Sequence, residues 1–188
     1  MADLEQKRKI EGFFSLIAFG LCIPAANWLI GNVGTECVPN GPCLIPVAPG
    51  LMAPSGVLTI GIALVLRDMV QRRLGPGWAF GAIIVGALLS GLVAPPALVF
   101  ASAFAFFLSE AADMLVYTPL QKRRLILAVI LSGLVGLTVD SIFFLYLAFG
   151  SLDFLAGQIV GKTWTVLIAI PAIWWIRRRD ERLGLQPV

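Results

Sequence analysis

Apolar residues in this chain run in long blocks, not in the alternation of a half-buried strand or the narrow stripe of a surface helix. Six such blocks cover residues 12–30, 55–74, 78–93, 97–117, 125–149 and 154–176. A helix rises 1.5 Å per residue, so about 20 apolar residues cross a hydrocarbon core of roughly 30 Å. The pattern predicts an all-α polytopic membrane protein, with residues 1–188 forming one transmembrane domain built as a six-helix bundle. Turn-forming residues separate the blocks: Gly75-Pro76-Gly77, Pro95-Pro96 and Gly150-Ser151-Leu152-Asp153. Residues 31–54 are rich in Gly and Pro and read as a loop. The first block has the basic start and small residues of a signal peptide, but it is long for one and is interrupted by Pro24, so it reads better as a retained span.

The polar residues between blocks set an orientation. Lys7, Arg8, Lys9, Arg72, Arg73, Lys122, Arg123, Arg124, Arg177, Arg178, Arg179 and Arg182 fall at the two ends and in the second and fourth connections. The other three connections carry no Lys or Arg. The excess of Lys and Arg in cytoplasmic loops then places both termini in the cytoplasm. A fluorescent-protein fusion after residue 184 is expected to fluoresce, and a periplasmic reporter at the 150–153 turn to be active. The reverse pattern would overturn this orientation.

Composition narrows the class. Of 188 residues 59% are hydrophobic and 13% charged, with mean hydropathy +0.91, against roughly 25% charged in average chains. The net charge of +3 and pI near 9.0 arise from short basic clusters beside apolar blocks. They suit topology and contact with lipid headgroups, not nucleic acid. The chain has no histidine and no Cys-x-x-Cys, and therefore neither the usual metal ligand nor the usual neutral-pH base. No H-E-x-x-H and no Gly-x-Ser-x-Gly is present. These absences argue against an enzyme, a metal site or a bound cofactor.

The charges inside the blocks carry the candidate chemistry. Glu110 and Asp113 lie one turn apart in the fourth block, where each costs about 2.5–3.5 kcal/mol on insertion scales. Asp68 and Glu110 both fall roughly 20 Å from the outer edge, with Arg67 and Asp113 nearby in depth. Asp140 and Lys162 fall roughly 8 and 12 Å below that edge, Lys162 one turn from Gln158. One reading is a polar cavity among the second, fourth, fifth and sixth helices. The other is ion pairs that staple the bundle, Arg67 with Glu110 and Asp140 with Lys162, with Arg67 snorkelling to the interface.

Asn27 is a buried amide in the first helix, suited to interhelical hydrogen bonding. The tryptophans suit an aromatic belt. Cys22 reads as a small buried residue, and Cys37 with Cys43 as a pair able to oxidise outside the cytoplasm. Ala82, Gly86 and Ser90 form a stripe of small residues that would serve packing within one chain or a homodimer.

Several stretches together resemble the VUT family of queuosine-precursor transporters: Ala25-Ala26-Asn27-Trp28-Leu29, the second block through Arg67-Asp68, residues 101–113 with Val116-Tyr117, residues 136–144, and Lys162. Ser109-Glu110 stands where that family usually reads Gly-Gln, while Asp113 keeps its place. The resemblance implies six helices, a multi-pass location in the inner (plasma) membrane and uptake of a 7-deazaguanine such as preQ0 or preQ1. Such a base presents adjacent N–H and NH2 donors, which a carboxylate can accept in a two-pronged way. Glu110 is the first choice for this contact and Asp113 the second, with Asn27 and Gln158 reading the remaining edge and Phe106 or Trp164 stacking on the ring. Arg67, Asp68, Asp140 and Lys162 complete the candidate site. The competing readings are the substrate-binding subunit of an energy-coupling-factor importer and a structural membrane subunit.

Overall fold

The computed structural model describes residues 2–39, 41–94 and 96–184. Each apolar block forms one helix: α1 (Ala2–Asn32), α2 (Val57–Leu74), α3 (Pro76–Val93), α4 (Val99–Leu120), α5 (Leu125–Phe149) and α6 (Leu155–Leu183). A single 3-10 turn, Pro96–Leu98, leads into α4. Charged residues extend α1 and α6 beyond their apolar blocks, to Ala2 at one end and Leu183 at the other, where polar helix can stand clear of hydrocarbon. Tight connections come from backbone chemistry: Gly75 supplies φ +100° between α2 and α3, and Gly150 supplies φ +66° after α5.

The all-α expectation needs one correction. Residues 31–54 do not form a plain loop. They contain β1 (Glu36–Cys37), β2 (Cys43–Ala48) and β3 (Leu51–Pro54), an antiparallel sheet in the order β1-β2-β3. Cys37 lies opposite Cys43 and the two are disulfide-bonded. Leu44 faces Pro54 and Ile45 faces Ala53, with a register shift between Pro46 and Ala48 beside the turn at Gly50. Strands this short, with Pro46 and Pro54 inside them, lack the alternating signature that marks a strand. The sheet is anchored to the helices: the Ser55 hydroxyl donates to the Leu29 carbonyl at 2.7 Å.

Among the described residues, α1, α3, α4, α5 and α6 are long and apolar enough to cross a membrane. Their exposed surface is apolar, with Phe14, Ile17, Leu88, Leu92, Leu115 and Ile168 all outward. The buried interior holds Arg67, Asp68, Gln71, Glu110, Asp113, Gln158 and Lys162. Apolar groups outside and polar groups inside suit hydrocarbon as the surrounding medium, and the chain is a multi-pass membrane protein. The exception, α2, carries Arg67, Asp68, Arg72 and Arg73. It packs against all five other helices, so its charges meet protein and not lipid.

Close approaches require small residues. A Cβ on Gly86 would lie 2.7 Å from the Phe106 ring and 3.0 Å from Ile23. Ala82 packs with Phe19, Ile23, Ala63 and Phe106. The Ala82-Gly86-Ser90 stripe is thus spent inside one chain. On α6, a Cβ on Gly157 would lie 1.9 Å from the Met52 carbonyl oxygen of β3, so the sheet rests directly on the start of that helix. Gly157→Val is expected to lower stability by about 1–3 kcal/mol through overpacking, read as a lower unfolding temperature in detergent. Gly20→Ala, with nothing within 4 Å of the added carbon, should show no such loss.

Candidate functional site

The polar interior falls into three layers, ordered by position along the helices. The first, nearest the sheet, centres on Lys162 of α6. Its ammonium has three N–H bonds, and three acceptors surround it: Asp140 Oδ2 at 2.5 Å, Gln158 Oε1 at 2.6 Å and Ser141 Oγ at 2.9 Å. Gln158 lies one turn before Lys162 on α6, while Asp140 and Ser141 come from α5. Both members of the charge pair are at most 9% exposed, and the hydroxyl and amide complete the ammonium's coordination, which a buried pair needs.

A small pocket, with a cavity volume of about 60 Å³, opens beside this layer. Asn27, Ser90, Ser102, Phe106, Asp140, Phe144, Gln158 and Lys162 line it, so α1, α3, α4, α5 and α6 all contribute, and Gly56, Val57 and Ile60 bring in α2. Asn27 donates to the Ile23 carbonyl within its own helix. Its carbonyl oxygen is an acceptor at the pocket wall. Apolar walls with a few convergent polar groups are the usual lining of a small-molecule site.

The second layer lies one turn deeper along α4. Phe106 and Glu110 are four residues apart on one buried face, followed by Asp113 and Tyr117. Arg67 of α2 reaches into this face. Its Nε donates to Glu110 Oε2 at 2.9 Å, one Nη donates to Asp113, and the other lies 2.9 Å from Asp68 and 3.3 Å from Gln71 Oε1. Gln71 passes the network on to the Thr118 hydroxyl at 2.9 Å. The guanidinium carbon sits 5.8 Å from the centre of the Tyr117 ring. Arg67 and Asp113 are fully buried, and Asp68 and Glu110 are 2% exposed.

The third layer was not foreseen in the sequence. Arg72 and Arg73 are buried, not solvated, and converge on Asp180 of α6. Arg73 grips it with two parallel bonds of 2.8 and 2.9 Å, and Arg72 adds 3.0 and 3.1 Å. Arg73 also lies 2.9 Å from Glu11 of α1, which Arg179 holds at 2.7 Å. These arginines satisfy the topology rule and also clamp α1, α2 and α6 together. The signal available in sequence was the placing of acids, Glu11 and Asp180, directly beside basic clusters.

Both ion pairs considered in the sequence, Arg67 with Glu110 and Asp140 with Lys162, are formed. Snorkelling of Arg67 is ruled out by its complete burial. Of the two stacking candidates, Phe106 lines the pocket, whereas Trp164 is 54% exposed on the outside of the bundle. Phe144 and Ser102 are pocket residues that the sequence did not single out, and Ser90 was noted only for packing. As uncharged residues within apolar blocks, they carry no local signal of a site. Among the described residues, no group of His, Cys, Asp and Glu is arranged to hold a metal ion.

Residues 91–176 match a family model described as "Putative vitamin uptake transporter". This bears out the VUT resemblance over the stretch that contains Glu110, Asp113, Asp140, Gln158 and Lys162. Asn27, Arg67 and Asp68 lie outside it. The family is one of transporters and not of enzymes. No curated protein and no solved structure matches the chain significantly.

Asp180→Ala would leave Arg72 and Arg73 buried without their shared counter-ion. Removing one partner of a buried pair costs about 3–5 kcal/mol. A fall in thermal stability of that order, measured in detergent, is expected for Asp180→Ala, with Arg177→Ala close to wild type because its partner Glu181 is an exposed neighbour on the same helix.

Proposed function

We propose that this chain takes up a queuosine precursor, a 7-deazaguanine such as preQ0 or preQ1, across the inner membrane. In this reading all six helices span the bilayer and both termini are cytoplasmic. The observation that carries the proposal is the pocket near the sheet. There a carboxylate, two amides, an ammonium and an aromatic ring converge on one pocket between the helices. A flat bicyclic base has a π-face for Phe106, an amide-like edge for Asn27 and Gln158, and donors for a carboxylate.

Asp140 is the carboxylate within the pocket, and Lys162 offers a donor to a carbonyl or nitrile on the base. Glu110 stands one turn beyond Phe106, at the level a base would reach on moving inward. There it would accept the paired N–H and NH2 donors in exchange for Arg67. Asp113 would take a second donor or an aminomethyl cation. Since Asp113 is the residue shared with the family pattern and Glu110 the departure from it, Asp113 serves transport in general and Glu110 the choice of base. Arg67 and Asp68 hold this pair in register.

The test is a rescue assay in a precursor-requiring strain that lacks its own transporter and has no coupling ATPases. Wild type is expected to restore queuosine in tRNA when fed the base. Glu110→Ala is expected to reduce uptake about tenfold or more, as befits loss of a hydrogen bond to a charged group, at unchanged membrane level. Unchanged uptake would remove Glu110 from the site. Rescue that depends on added coupling ATPases would instead identify an importer subunit.

A further inference from the structure

The charges of the second layer do not balance. One guanidinium, Arg67, faces three carboxylates, Asp68, Glu110 and Asp113, all at most 2% exposed. Fully ionised, the cluster would carry two negative charges with no solvent to screen them. The surroundings supply only part of the difference. α3, packed on α4, contains no charged residue. On α6, Lys162 is committed to Asp140 of α5. Farther along α2, Arg72 and Arg73 share Asp180 and Glu11 with Arg179, which leaves one positive charge in excess against two negative ones. Tyr117 on α4 is neutral in its ordinary state.

Two further observations bear on what neutralises it. Asp68 and Asp113 are held by the two adjacent Nη atoms of one guanidinium, which brings the two carboxyl groups side by side. Two ionised carboxylates have no proton to place between them, so such a pair holds together by sharing one. In addition, Asp68 Oδ1 and Asp113 Oδ2, one oxygen from each carboxyl group, are buried and accept no hydrogen bond from the described residues. A buried carboxyl oxygen without a donor is a seat for a proton.

We infer that the Asp68–Asp113 pair is a proton-binding site, and that the proton it holds is the coupling ion for uptake through the pocket above it. The inference rests on the transport reading and adds its driving force. With the proton bound, the cluster carries one negative charge and stays closed around Arg67. When the base displaces Arg67 from Glu110, the guanidinium is left to Asp68 and Asp113. The proton, loaded from outside, stays on the pair while the base is bound, and it leaves toward the cytoplasm once the base is released there and Arg67 returns to Glu110. About one proton would enter with each neutral base.

Two measurements test this. The purified protein in detergent is examined by infrared spectroscopy at neutral pH. A carbonyl band of a buried protonated carboxyl group, shifted in D2O, is expected in wild type and lost in Asp68→Asn and Asp113→Asn. Its absence from wild type overturns the site, whether or not the variants fold. In wild-type proteoliposomes, neutral preQ0 should accumulate when the outside is acid, with matching acidification of the lumen, and a protonophore should abolish the accumulation. Base that merely equilibrates, or that follows a sodium gradient, overturns the coupling. If no base enters at all, the transport reading fails, and the infrared band still decides whether the proton is there.

Discussion

Arg67 is the contact on which the rest of the structure depends. A guanidinium in hydrocarbon is tolerable only with its donors filled and its charge met, and here acceptors on α2 and α4 do both. That requirement fixes the rotation of α2 and of α4 about their axes, because Glu110 and Asp113 must both point at one planar fork. With those rotations fixed, Phe106 faces the pocket one turn toward the sheet and Tyr117 lies under the guanidinium one turn the other way. The small residues of α3 then have a defined surface to close upon.

The same logic is repeated above and below with different partners. Lys162 joins α5 to α6, and Asp180 joins α6 to α2. Each layer ties a pair of helices that the apolar effect cannot hold together inside a bilayer, since lipid tails are as apolar as leucine. The pocket lies between the sheet and the Arg67 layer, with the Lys162 layer forming one of its walls. Its position follows from where the staples are and where they are not.

How much of this was legible in the sequence varies with the physics of each part. The six helices were legible because spanning lengths of apolar residues have few other uses. Counting residues along each span placed Arg67 beside Glu110 and Lys162 beside Asp140, since depth is nearly linear in residue number. The rotation of a helix about its axis is not readable when all its faces are apolar. Hence Trp164 and Phe106 looked alike, and Phe144 went unnoticed. The sheet was hidden because its strands are short and proline-bearing. The burial of Arg72 and Arg73 was hidden because a topology argument already accounted for them.

The charge content of α2 has a consequence for biogenesis. A segment with four charged side chains is a poor substrate for partitioning into lipid during synthesis, each central charge adding about 2.5–3.5 kcal/mol. Its counter-charges arrive late: Glu110 is 43 residues further along the chain than Arg67, and Asp180 is 108 further than Arg72. The charges of α2 are therefore met in full only once α4 and finally α6 have been made, and the helix at the centre of the bundle is the last to gain all its partners.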